Sequence, residues 1–393
     1  MNKFLKLFFL ALSSTFLFFA CEKYDISNIT KEEATTTEHY IVLLKTSKDL
    51  TTLSSSSAEN YVKSFILANN ISSGQVTYIY KKAVVGFAGY LTKEQVGRLS
   101  KSTEVKVVEK DQLMFLPPFE INEEDPKTET PLAQTTPWGI TAVGGYVNSS
   151  NLSRIAWIVD TGIDLDHPDL NVNTSLSRTF VRSGRDSRNA DDNNGHGTHV
   201  AGIIAAKNNS IGVVGVAAGA TVVAVKVLSS NGSGYVSDIV AGLDYVANYG
   251  RANDVVNLSL GGSASTTLDN AVTGCANAGL IVVIAAGNSS ANAGNYSPAR
   301  VNGTNIYTIS AHNNSDVFAS FSNYGNPPID YCAPGVSIYS TYKGGRYATM
   351  SGTSMAAPHV AGILLVNNGS IYTRGYVSND PDNNADPLAS RTQ

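Results

Sequence analysis

From Trp138 onward the chain repeats one pattern: a short run of Val, Ile and Ala, then a stretch with apolar residues at helical spacing. "RIAWIVD", "ATVVAVKVL", "DVVNLSL", "LIVVIAAG" and "NIYTISA" are the runs; "GTHVAGIIAAK", "VSDIVAGLDYVANYG", "LDNAVTGCANAG" and "GTSMAAPHVAGILLV" are the helical stretches. Strands that are apolar at nearly every position are covered on both faces, and such strands alternate with helices in parallel sheets. The predicted fold class is α/β, a doubly wound, mainly parallel sheet with helices on both faces. Functional groups in open sheets of this kind gather at the carboxyl ends of the strands.

A chain of 393 residues is too long for one core. Residues 1–21 carry Lys3 and Lys6 before an apolar run, Leu7 to Ala20, the layout of a secretory signal peptide. The run ends in Ala20-Cys21, which resembles the bacterial lipobox. Cys21 would then be acylated, with the mature protein anchored to a membrane or cell surface. Phe18 and Phe19 depart from that motif, so a plain signal peptide and release outside the cell is the alternative. Residues 22–38 are a polar tether. Residues 39–116 suggest strands and helices in the order β-α-β-β-α-β, a small α+β ferredoxin-like domain, with "EVKVVEKDQLMFL" as its last strand. Residues 117–136 are rich in Pro, Thr and acids and form a linker and processing region. The large domain spans 137–367, and 368–393 is a polar tail.

Charged residues are 15% of the chain and the net charge is −4. Neither a basic stripe nor a stacking series marks a nucleic-acid surface. After Cys21 only Cys275 and Cys332 remain, too few for a disulfide framework, and both fit as buried free thiols.

Four positions stand at strand ends or helix starts. Asp160 closes "RIAWIVD"; alone it is also good turn chemistry. His196 lies between two glycines ahead of a helix, either as a base or, with His199, as a metal chelate. The metal reading lacks a third ligand in obvious spacing, and His199 fits better as a packed helix residue. Asn288 ends "LIVVIAAGN", where its amide can face a developing oxyanion or simply make a turn. "SGTSMAAPHVAG" offers Ser351, Thr353 and Ser354 as hydroxyls near a helix start; Ser354 also fits an ordinary N-cap.

Together "DTGID", "GHGTHVAG", "NLSLGG", "AAGN" and "GTSMAAPHVAG" resemble, in order, the sequence blocks of the subtilisin-like serine proteases, closest to the proteinase K branch. The order Asp, His, Ser is that of subtilisin. The resemblance implies Ser354 as nucleophile, His196 as general base and acid, and Asp160 as the group orienting the imidazole. Asn288 and the Ser354 N–H would hold the oxyanion. It places a substrate-pairing strand at Gly232, Ser233 and Gly234. Ser259, Leu260 and Gly261, with Ala285, Ala286 and Gly287, would form a pocket for large apolar or aromatic side chains. Residues 39–116 resemble the family's inhibitory, chaperoning propeptide. No cofactor is expected for the chemistry, though Asp330 matches a structural calcium ligand. The expected partners are polypeptide substrates and the chain's own propeptide, in a monomer. The expectation is a secreted, self-processing serine endopeptidase. Its rival is a catalytically dead binding module on the same scaffold.

Overall fold

Side-chain alternation decides the N-terminal sheet. Strand β1 (Thr37–Leu44) turns Val42 and Leu44 to one face and Ile41 and Leu43 to the other, the two-residue period of a strand. With β2 (Val76–Lys81), β3 (Val85–Thr92) and β4 (Val105–Lys110) it forms an antiparallel sheet in the order β2-β3-β1-β4. Val42 and Leu44 pack with Val62 and Phe65 of α1 (Ser55–Ala68) and Leu99 of α2 (Lys93–Leu99). Helix α2 starts at a capping box, in which Gln95 N–H donates to Thr92 Oγ1 and Thr92 N–H to Gln95 Oε1. The structure, a computed structural model, describes residues 36–46, 54–118, 120–123 and 133–393, and residues 37–393 pack as one unit.

The strand expected over 104–116 is broken in two. β4 stops at Lys110 because the Asp111 carboxylate accepts from the N–H and hydroxyl of Ser237. The chain then leaves the small sheet. β5 (Leu113–Phe115) pairs with β11 (Ser233–Tyr235), and β6 (Glu120–Glu123) pairs with β19 (Arg346–Ser351). The end of the small domain and the segment that follows it thus each add a strand to the large domain.

The short helix α3 (Trp138–Ala142) precedes the large sheet. That sheet contains β7 (Ala156–Asp160), β8 (Asn171–Val172), β9 (Arg178–Thr179), β10 (Thr221–Lys226), β12 (Val255–Leu258), β14 (Ile281–Ala285), β16 (Ile306–His312) and β17 (Ile329–Pro334). Its order is β17-β16-β14-β12-β7-β10-β8, with β9 also on β10, and every one of these pairs is parallel. Trp157 and Val159 point to one face, where α5 (Val236–Tyr249) and α6 (Thr266–Asn277) pack. Ala156 and Ile158 point to the other, against α4 (His196–Ala205) and α7 (Thr353–Val366). The sheet is doubly wound as expected. Two small ladders flank it, β13 (Gly262–Ser263) on β15 (Tyr296–Ser297) and β18 (Ile338–Tyr342) on β19.

The C-terminal tail departs from the sequence expectation of a polar extension. β20 (Tyr372–Tyr376) and β21 (Pro387–Ser390) extend the large sheet, β21 lying parallel to β17. Leu388 and Val377 close a small core with Phe318 and Cys332. Cys275 and Cys332 are both free and buried.

Ile41 and Leu43, on the other face of β1, join the same core cluster as Leu268 and Val272 of α6. The small sheet therefore docks on the helices of the large domain. Asp244 of α5 accepts the N–H groups of Lys81, Lys82 and Ala83, and Glu109 accepts from Thr267 in the first turn of α6.

Candidate active site

Asp160 is the last residue of β7 and His196 the first of α4; both are fully buried. His196 Nδ1 lies 2.8 Å from Asp160 Oδ1, which also accepts the Thr161 N–H at 2.7 Å. Two glycines bring the imidazole there. Gly195 has φ 114°, a left-handed conformation that glycine adopts without strain. A Cβ on Gly197 would strike the carbonyl of Gly162.

The loop before α4 is held by a residue the sequence did not single out. Asp192 accepts from the N–H groups of Asn194, Gly195 and Thr198 and the hydroxyls of Thr161 and Thr198. Its only sequence signal is a place in "DDNNGHG", which also looks like a polar loop. His199 donates from Nε2 toward the carbonyls of Ile338 and Ala348, and burial pushes its pKa down to about 3. That nitrogen is committed to structure, which argues against the chelate reading.

Ser354 is the second residue of α7 and fully buried. Its hydroxyl donates to the Ser259 carbonyl at 3.3 Å. Pro358, four residues on, has no N–H for the Ser354 carbonyl, and the Ser259 hydroxyl fills that place at 2.9 Å. Ser259 therefore supports the start of α7 and is not among the residues that line the pocket.

Asn288 has its amide fixed from one side. Oδ1 accepts from the N–H and hydroxyl of Thr353 at 2.9 and 2.7 Å. Nδ2 then points into the cleft and donates to the carbonyl of Pro118 at 2.8 Å. A Cβ on Gly352 would come within 2.9 Å of that Nδ2. Of the three hydroxyls in "SGTS", Thr353 orients the amide, Ser351 accepts the Ser337 N–H at 2.9 Å, and Ser354 donates to the Ser259 carbonyl.

Residues 113–118 fill the groove beside this site. Ser233, Gly234 and Tyr235 pair with Phe115, Met114 and Leu113, and Leu116 N–H donates to Gly232 O at 2.9 Å. Phe115 exchanges backbone bonds with Gly261 on the opposite side. Pro117 and Pro118, with Leu260, Gly261, Ala285, Ala286 and Gly287, line a pocket of about 180 Å³. The structure thus gathers Asp160 with His196, and Asn288 and Ser354 around Thr353 and Ser259, beside the expected pocket residues.

Asp330 lies apart, on β17, where its Oδ2 accepts the Thr308 N–H at 2.8 Å and burial pushes it up to about 6. Among the described residues no group of three or more His, Cys, Asp or Glu is arranged for a metal ion. Cys21 lies outside the described residues. Among those described, no helix is long and apolar enough to cross a membrane.

A doubly wound sheet whose strand ends carry a buried Asp–His pair, with a serine at a helix start and a zymogen-like segment in the cleft, defines a class. Residues 155–368 match the model of the subtilase family and residues 39–117 that of peptidase inhibitor I9; the chain belongs to the subtilase family and is a serine endopeptidase with an inhibitor-type propeptide. It is 42% identical over 282 residues to a thermostable alkaline protease of Halalkalibacterium halodurans, covering 70% of each chain. It is 45% identical over 266 residues to Subtilisin Savinase of Lederbergia lenta, covering 66% of this chain and 94% of that one. Proteinase R of Parengyodontium album is 35% identical over 305 residues, 74% of this chain and 72% of that protein. A crystal structure of a cold-adapted subtilisin-like serine proteinase superposes with a TM-score of 0.58 at 34% identity, over 65% of this chain and 98% of that one.

Proposed function

We propose that the chain cleaves polypeptides through an acyl-enzyme on Ser354, with His196 as base and then acid and Asp160 fixing the imidazole and stabilising its charged form. Asn288 Nδ2 and the Ser354 N–H stabilise the oxyanion. The observation that supports this reading is the 2.8 Å bond from Asn288 Nδ2 to the carbonyl of a bound peptide segment, since the same donor would meet the oxygen of an attacked carbonyl. The small residues Gly261, Ala285, Ala286 and Gly287 leave room for an apolar or aromatic side chain before the scissile bond. Residues 39–116 act as an intramolecular inhibitor that the enzyme itself removes.

Loss of the nucleophile or base in subtilisin costs on the order of 10⁶ in turnover. Ser354→Ala and His196→Ala should lose activity on a peptide anilide by at least 10⁴-fold and accumulate as unprocessed precursor. Activity within tenfold of the parent in either variant contradicts the assignment. Export and acylation of Cys21 rest on residues 1–21 alone; a mature N-terminus lacking a lipidated Cys21 by mass removes the anchor. Asp330, a half-buried carboxylate with one amide partner, suits a calcium site completed by backbone carbonyls. Calcium should then raise the thermal midpoint of the parent but not of Asp330→Asn, and equal shifts dismiss the site.

A further inference from the structure

The propeptide enters the cleft as a strand, and its course fixes which peptide bond meets the nucleophile. On the incoming side β5 pairs with β11, Leu116 N–H reaches Gly232 O, and Phe115 faces Gly261. On the outgoing side Glu120 pairs with Ser351, three residues before Ser354. Between these anchors Asn288 Nδ2 donates to the Pro118 carbonyl. We propose that the first self-cleavage falls between Pro118 and Phe119, and that Pro117 makes it slow. This rests on the catalytic reading of Ser354, His196 and Asn288 given above.

The choice of bond follows from the donor and from the leaving group. The oxygen held by Asn288 belongs to Pro118, so the electrophilic carbon beside it is that of Pro118. Cleavage one bond earlier would act on the Pro117 carbonyl, to which Asn288 makes no bond, and would expel the secondary amine of the Pro118 ring in place of the primary amine of Phe119. At the proposed bond Ser354 Oγ adds to the Pro118 carbonyl carbon while His196 takes the hydroxyl proton. The C–N bond to Phe119 breaks, and His196 returns the proton to the departing amine. Water then hydrolyses the ester, leaving a Pro118 carboxylate and free Ser354.

The delay follows from the same ladder. Antiparallel pairing of Phe115 with Gly261, carried two residues on, sets Pro117 opposite Ser259. Most residues there would donate an N–H to the Ser259 carbonyl, and proline has none. That carbonyl instead accepts the hydroxyl of Ser354 at 3.3 Å. The nucleophile's proton is thereby directed at a backbone oxygen. The paired prolines hold the segment as an inhibitor for longer than an ordinary sequence would.

The test uses the full-length precursor, sampled early so that later trimming does not hide the first cut. The intact mass of the released propeptide and the new N-terminus are measured together. The expected products are a fragment ending at Pro118 and a partner beginning Phe119-Glu120-Ile121. Pro117→Ala should give the same products at least fivefold faster. A first cut elsewhere, with the peptide anilide still hydrolysed and Ser354→Ala unprocessed, overturns the assigned bond and leaves the catalytic reading intact. Processing of Ser354→Ala at a normal rate overturns that reading instead. Correct products with no acceleration in Pro117→Ala overturn the role of the proline. Should Pro117→Ala misfold, as seen by circular dichroism, Pro117→Ser restores the same N–H and must meet the same fivefold criterion.

Discussion

At the residue scale, "HVAG" occurs twice, and its histidines do different work from the one before them. His199 and His359 are fully buried and bonded to backbone, His359 Nδ1 donating to Met355 O at 2.8 Å. Burial pushes both down to about 3, so they stay neutral across the working range. Replacing His359 with Gln leaves a buried carbonyl short of its partner, a loss of about 1–3 kcal/mol. The expected outcome is a lower thermal midpoint with kcat/KM on a peptide anilide within about threefold of the parent; inactivity in a fully folded variant would assign His359 to the chemistry. The glycines of the two copies have separate duties too. A Cβ on Gly202 would collide with Ser340 and Thr341, and one on Gly362 would lie 2.6 Å from Val216, so each glycine admits a neighbouring strand or loop rather than the other helix.

At the scale of elements, the long apolar strands were legible because burial on both faces leaves no polar alternation. The strand-end Asp160 and the helix-start His196 and Ser354 were legible with them. β6 and β21 were not: each has four residues, and each gains its place from a partner strand distant in sequence. Asp192 escaped notice, and Thr353 stood only as one of three candidate hydroxyls, because polar loop residues that organise a site look like any turn formers. The C-terminal strands carry a titratable contact. Asp386 accepts from Ser310 Oγ at 2.5 Å and from Asn326 Nδ2, and burial pushes it up to about 7. A carboxyl raised in the folded state contributes stability that is full below its unfolded value, about 4, and lost as pH rises through about 7. Asp386→Asn should therefore flatten the fall in thermal midpoint between pH 5 and pH 8. An unchanged slope would mean that Asp386 is ionised at little cost.

At the scale of the whole molecule, the propeptide is bound through backbone groups at both ends of its path. Ala83, in the β2–β3 turn, sits so close to α6 that a Cβ on Gly274 would run into its carbonyl. Gly274→Ala should weaken propeptide retention by tenfold or more, about 1.4 kcal/mol. The lag between precursor cleavage and the appearance of activity should shorten accordingly, with kcat/KM of the fully activated enzyme unchanged. An unaltered lag would mean that the turn relaxes without loss of grip. All of this presupposes one nucleophile. Reaction of the processed protein with a fluorophosphonate, followed by peptide mass mapping, tests that most directly. The expected result is one label per molecule, on Ser354. A folded, processed protein labelled on another residue, or not at all, would contradict the account.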